Sequence, residues 1–468
     1  MRNVRIILAS IAFVVLLIAG PDAANSITYV VGTWQITLTD LGVLPGGTAS
    51  RALSINNVGR IVGLATDSTF ALQRPFWDAS SGTVTGFAQN LDPASTAVPE
   101  EVNDIGQMVG TEVIRQGTLY RGVFWNPLGQ AFGLPPMPGI DPLYGPVHVA
   151  GHGINNVGQM VGISKESAPN FFTHAVLWQN KDMPAQDLGF LGTGASTNYS
   201  EAYGINDFTH IVGNSAVGTL IRGFLWRAGQ MIDLGALSGQ VVSEARALNN
   251  SGLIVGKSNF YPVTWRYDVS NASSMPVIQP LPIPAGFFSA QPAAVNDSGD
   301  VAGHAGSPSI DSHAILWRNR QAIDLGTWPG GHYSVANDIN NLGQIVGTGT
   351  VAGDNLDHAL MWTVVPVTGA PVNETPSVSL VATGTTSIRV GRSLSVRASV
   401  TDPDNGPWNY SLEWGDGIAT AGNLSNAGVI PDVTSHVYAR TGTFSARLTV
   451  TDGRGAIGRS RTITVRVR

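Results

Sequence analysis

Apolar and polar residues alternate in short runs along most of this chain, and each run is cut by a turn of Asn, Asp or Gly. Between residues 202 and 234 the alternation predicts four strands: Ala202–Ile205, His210–Gly213, Arg222–Trp226 and Gln230–Leu234. Turns at Asn206–Thr209 and Arg227–Gly229 separate them, which is the signature of antiparallel hairpins. The same unit recurs seven times. Each copy reads small-x-x-aliphatic-Asn-Asn/Asp-x-Gly-x-aliphatic-Val-Gly, then a variable loop, then a short segment ending in Trp. The opening Asn falls at Asn56, Asn103, Asn155, Asn206, Asn249, Asn296 and Asn340. The closing Trp falls at Trp77, Trp125, Trp178, Trp226, Trp265, Trp317 and Trp362. The period averages about 47 residues, and repeats of roughly this length with strand character indicate a β-propeller or a similar array.

Periodicity assigns most recurring residues to structure. The Asn side chain can bond its own turn backbone, and the turn Gly can take positive φ without strain. The fourth copy has Thr209 in place of that Gly, so a distorted turn is expected there. The innermost strand opens on a small residue or Pro (Ala52, Pro99, Gly151, Ala202, Ala245, Pro292, Ala336), as crowding near a central axis requires. The repeat Trp residues read as wedges between neighbouring units. Several copies end in Asp-Leu-Gly, but the last stops at Trp362, while an orphan Asp40-Leu41-Gly42 precedes the first copy. An N-terminal strand that completes the final unit explains both ends and removes an open sheet edge. A linear β-solenoid is the alternative.

Charged residues make up 12% of the 468 and the net charge is −6, without a long basic run, so no nucleic-acid surface is expected. Cys is absent, which excludes disulfides, thiolate metal sites and a Cys nucleophile. Arg2 and Arg5 precede an apolar run from Ile6 to Ala19, and small residues follow. Residues 1–24 therefore read as a secretory signal, with an uncleaved N-terminal anchor as the alternative. No later stretch is apolar enough to predict a membrane span once the signal is removed.

His174-Ala-Val-Leu-Trp178, His313-Ala-Ile-Leu-Trp317 and His358-Ala-Leu-Met-Trp362, with the Asn-Asn-x-Gly turns and Asp-Leu-Gly ends, resemble the HAF extracellular repeats of bacteria. That resemblance implies export and no particular activity. The other copies replace His-Ala with Arg74-Pro, Arg121-Gly, Arg222-Gly and Tyr261-Pro. After Trp362 the pattern changes. Trp414-Gly-Asp-Gly417, His436-Val-Tyr438 and Gly442-Thr-Phe-Ser-Ala-Arg-Leu-Thr-Val-Thr-Asp452 resemble a PKD domain, which implies an immunoglobulin-like sandwich with Trp414 in the core and Asp416 fixing a turn. The expected organisation is all-β: a signal at 1–24, a seven-bladed propeller at 27–365, a Pro-bearing linker at 366–376 and a PKD-like sandwich at 377–468.

No nucleophile motif, phosphate loop or zinc-ligand helix is present, so no catalytic residue, metal or cofactor is assigned. A carboxylate pair contributed by distant copies stays open. Asp402-Pro-Asp404-Asn405 could supply oxygen ligands to calcium, but no full ligand spacing is visible and a polar inter-strand loop is the favoured reading. Connection parity in a four-stranded meander puts the long variable loops on one face, where binding usually resides. Tyr144, His148, Phe171, Tyr199, Phe288, Trp328 and Tyr333 are the ligand-binding candidates there. The expected function is non-catalytic binding, by a secreted or cell-surface protein, of an extracellular polysaccharide or protein. A propeller hydrolase or lyase, and a structural surface or matrix component, are the alternatives.

Overall fold

The computed structural model describes residues 26–468 except 94, 115–118, 139–147, 167–171, 193–198, 272, 308–309, 352–355, 368–374, 403–407, 425–427, 431–434 and 454. The expected signal segment, Tyr144, Phe171, most of the expected linker and the Asp404-Asn405 pair lie outside the described residues. Those residues form strands and turns with no helix. Apart from residues 319–321, the chain divides between Val367 and Thr368 into two compact units.

The first unit is built of seven antiparallel sheets, one for each repeat. The fourth is representative, with strands Ser200–Ile205, Ile211–Val217, Leu220–Arg227 and Gln230–Asp233 paired in sequence order. The seventh sheet takes its fourth strand from the N-terminus. Trp34–Asp40 pairs along Asp357–Pro366, and Ser26–Val31 adds a further strand outside it. Apolar clusters lie between neighbouring sheets. Val109 and Phe124 of the second sheet share one cluster with Met160, Val176 and Trp178 of the third. Another joins Ile61 and Trp77 of the first sheet to Val346, Ala359 and Met361 of the seventh. All seven repeat Trp side chains are buried.

The repeat Asn works in two directions. Its Oδ1 accepts the backbone N–H four residues on, at 2.8–3.0 Å in every copy. Its Nδ2 donates to the main-chain carbonyl of the next copy's Asn at 2.7–3.2 Å, and Asn340 returns the series to Asn56. Only a side chain with both a donor and an acceptor can do this, which selects Asn over Asp. The residue after it forms a second circuit. Each backbone N–H at this position donates to the side-chain Oδ1 of the next copy's Asn or Asp at 2.7–3.0 Å, from Asn57 round to Asn341 and back. Thr209 corrects the expectation of a distorted turn. It takes φ 62° and donates its N–H to Asn206 O at 3.0 Å, as the turn glycines do, while its hydroxyl bonds Gln159 at 2.8 Å.

The His-Ala positions have a cross-strand partner. His174, His313 and His358 lie 3.1, 3.0 and 2.9 Å from Asp187, Asp324 and Asp40, the Asp residues of the Asp-Leu-Gly ends. Arg222, which replaces His in the fourth copy, meets Asp233 at 3.2 Å. The substitution thus keeps a nitrogen-bearing side chain opposite the carboxylate. For the last copy the N-terminal strand supplies that carboxylate.

The second unit has two sheets around one apolar cluster that includes Val396, Trp408, Trp414, Tyr438 and Leu448. Ser393–Thr401 and Gly442–Asp452 alternate buried and exposed residues, as expected of strands with one face in the core.

Candidate functional site

The first strand of every repeat skips one residue in its pairing with the second. The register shifts lie between Ala52/Ser54, Pro99/Glu101, Gly151/Gly153, Ala202/Gly204, Ala245/Ala247, Pro292/Ala294 and Ala336/Asp338. Two features of the repeat make this bulge. The residue where it begins is small or Pro. The Gly of Val-Gly on the second strand lets the backbones close together. A Cβ on Gly63, Gly110, Gly162, Gly213, Gly256, Gly303 or Gly347 would come within 1.9–2.2 Å of a carbonyl oxygen on the first strand. A bulge re-aims the unpaired side chain. Here the seven skipped residues are Leu53, Glu100, His152, Tyr203, Arg246, Ala293 and Asn337, and all of them line one cavity of about 320 Å³.

The polar lining is tightly organised. His152 Nδ1 sits 2.7 Å from Glu100 Oε2, and its Nε2 is 3.0 Å from Glu201 Oε1 in an ion-pair contact off the hydrogen-bond axis. Burial by itself would lower the His152 pKa, but the two carboxylates outweigh it and hold the imidazolium up to about 9. Glu201 also accepts the Tyr199 hydroxyl. Burial would raise the Glu201 pKa, yet His152 and the tyrosine hydroxyls bring it below its ordinary value. The Arg246 guanidinium lies 4.8 Å from the Tyr203 ring centre, and the His152 ring is 5.6 Å from the same ring.

Deeper in, Glu101 and Asp338 line this cavity and also a second one bounded by the Asn circuits, so they stand where the two meet. Ile154 N–H donates to Glu101 Oε2 at 3.0 Å. Asp338 Oδ2 accepts Ser54 Oγ at 2.7 Å and Ile55 N–H at 2.8 Å. Burial raises both carboxyl pKa values, and Asp338 adds to the effect on Glu101, which reaches about 8. Both residues are partly exposed and line the two cavities.

The His152 clamp makes a pH prediction. A raised histidine pKa stabilises the fold fully below its ordinary value of 6.5, and the gain is lost as pH rises through about 9. The melting-temperature gap between the parent and His152→Gln should be widest near pH 6 and close toward pH 10. A gap constant with pH would contradict an ionised clamp.

Of the sequence-predicted ligand residues among the described ones, Tyr199 touches this cluster, through Glu201. His148 packs against Tyr120 at 5.8 Å between ring centres, and burial together with Lys165 lowers its pKa. Phe288 is exposed, and Trp328 packs at the edge of the seventh sheet's core. The Tyr333 hydroxyl donates to Asp357, which lines a separate groove of about 480 Å³ beside Arg51. Sequence reading passed over the cavity-lining residues themselves. They occupy the two x positions between the small residue and the aliphatic-Asn pair, the places where otherwise similar copies diverge most in chemistry.

In the second unit, Trp414 is buried and donates Nε1–H to Thr420 Oγ1 at 3.0 Å. His436 stacks on Trp414 at 4.8 Å and contacts Asp416 at 2.7 Å, while the Tyr438 hydroxyl donates to Trp414 O at 3.0 Å. Ile418 N–H donates to Asp416 Oδ1 at 3.2 Å across the Gly-Asp-Gly turn. Residues 373–467 match the family model of the PKD domain. The C-terminal unit carries a PKD domain. The PKD domain of an M14-like peptidase from Thermoplasmatales archaeon SCGC AB-540-F20 is similar at 24% identity, covering 20% of this chain and 98% of that one, with a TM-score of 0.18. No curated protein matches the chain. Among the described residues no helix is long and apolar enough to cross a membrane, and no group of three or more His, Asp or Glu could hold a metal ion.

Proposed function

We propose that this chain is a secreted or cell-surface binding protein. Its first unit is read as a seven-bladed HAF-type β-propeller that takes a polar ligand, such as the end of an extracellular polysaccharide, in its axial cavity. The PKD domain is read as an immunoglobulin-like spacer. The propeller reading is supported by two circuits of hydrogen bonds that pass through all seven repeats and return to the first. One observation carries the binding reading: seven bulges at one repeat position deliver chemically different side chains into a single cavity. A purely structural position would repeat its residue, as the Asn and Trp positions do. Pockets of this size with a few convergent polar groups are typical of ligand sites.

The deep carboxyls favour a second reading, a glycoside hydrolase. Burial and Asp338 raise the Glu101 pKa to about 8, which favours its acid form at neutral pH, and it shares the cavity with Asp338, as an acid-base pair would. A glycan array run beside a hydrolysis screen separates the two. Binding without turnover is expected, with binding abolished by Ala293→Trp, which fills the cavity. Turnover that Glu101→Gln stops would establish the hydrolase. A ligand retained by Ala293→Trp would move the site elsewhere.

A further inference from the structure

We propose that the axial cavity recognises a protonated amine, and specifically an amino sugar whose ammonium group sits between Glu101 and Asp338. This rests on the cavity being the binding site. At the position following each bulge, five of the seven repeats carry serine, glycine or alanine, and only Glu101 and Asp338 carry larger side chains. The small residues leave open space in front of two carboxyls.

Neither carboxyl has a cation in ion-pair contact among the described residues. Their partners among the described residues are backbone N–H groups and the Ser54 hydroxyl, and none of these donates to Glu101 Oε1. The other charged groups facing Glu101 are Glu100 from its own strand, Asp338 from the seventh sheet and Arg246 from the fifth. His152, from the third sheet, is already clamped by Glu100 and Glu201. Arg246 stacks on Tyr203. The cavity therefore lacks one positive charge at its deep end.

A divalent metal suits this gap poorly, because it needs several oxygen ligands and no such group of side chains is present among the described residues. An ammonium needs only acceptors for its three N–H bonds, which two carboxyls and water provide. Leu53, Leu248 and Val295 line the same cavity and offer an apolar wall to the C–H face of a sugar ring.

Proton balance gives a readout independent of any variant. Burial and Asp338 hold Glu101 protonated up to about pH 8. At pH 6.5 a bound ammonium ionises it, and the proton leaves to buffer. Calorimetric titration of the full chain with glucosamine and with glucose, in two buffers of different ionisation enthalpy, measures this. Glucosamine is expected to bind with release of up to about one proton, and glucose about 30-fold more weakly or not at all. Glu101→Gln should remove both the preference and the proton release. Equal affinity for the two sugars, or no glucosamine binding, overturns the amine proposal. Tighter binding of Ca²⁺ than of glucosamine overturns it in favour of a metal. If equal affinity is accompanied by loss of both sugars in Ala293→Trp, the cavity reading stands and only the amine falls. If a glycan-array ligand survives Ala293→Trp, the cavity reading falls as well.

Discussion

Removal of Ser26–Asp40 is expected to drive the protein to aggregation, or to cost at least about 5 kcal/mol of stability where it stays soluble. Ile36 and Leu38 are fully buried in a cluster with Leu316, Leu360 and Trp362, and deletion takes them out of it. The whole Trp34–Asp40 ladder along Asp357–Pro366 goes too, together with the 2.9 Å contact between His358 and Asp40. What remains is a ten-residue apolar strand with an unpaired edge. Such an edge is a template for pairing with another chain. Light scattering and thermal melting of the truncated chain measure the outcome. An unchanged melting temperature would mean that the N-terminal strand is an accessory and that the final sheet is sufficient without it. Asp40→Ala separates the strand from its side-chain contact. It loses the His358 contact and the 2.8 Å hydrogen bond that Asp40 Oδ1 accepts from Gly42 N–H, and should cost far less than the deletion.

How much of this could be read in advance depends on the range of each interaction. The repeat unit was legible because its determinants are local. Strands expected at Ala202–Ile205 and Arg222–Trp226 lie within Ser200–Ile205 and Leu220–Arg227. The outer strand Ser26–Val31 was not anticipated, because it lies before the first full repeat and has no counterpart in the other copies. Thr209 was misjudged because its sequence signals strain. The turn hydrogen bond that Thr209 N–H donates to Asn206 O and the hydroxyl contact to Gln159 hold it in the glycine conformation all the same.

The cavity cluster was illegible for a different reason. Alternation says which face a strand residue occupies, but a bulge breaks alternation at the position that matters. Glu101 and Asp338 belong to different repeats, and so do His152 and Glu201. No spacing rule links them, and only the folded arrangement brings them to one cavity. A usable signal was nevertheless present. Within a repeat whose other positions recur, Leu53, Glu100, His152, Tyr203, Arg246, Ala293 and Asn337 share one place and no common chemistry.

The second large effect is expected at the repeat tryptophans. Trp178→Ala should lower stability by about 3–5 kcal/mol, the range for truncating a fully buried aromatic side chain. Trp178 has no exposed surface and packs in the cluster between the second and third sheets with Val109, Phe124 and Val176. Its indole N–H donates to Pro135 O at 2.7 Å, so truncation also strands that carbonyl. The cavity cannot collapse easily, because Asn103 Nδ2 donates to Asn155 O and ties the second sheet to the third. Trp178→Phe keeps most of the volume and loses only the N–H, so it should recover more than half of the loss. Chemical denaturation of the three proteins measures the ordering. Full stability in the alanine variant with loss of ligand binding would make Trp178 a recognition residue. The burial of all seven repeat tryptophans instead supports a wedge between sheets, where the cost is one of packing and falls on the interface that each copy shares with its neighbour.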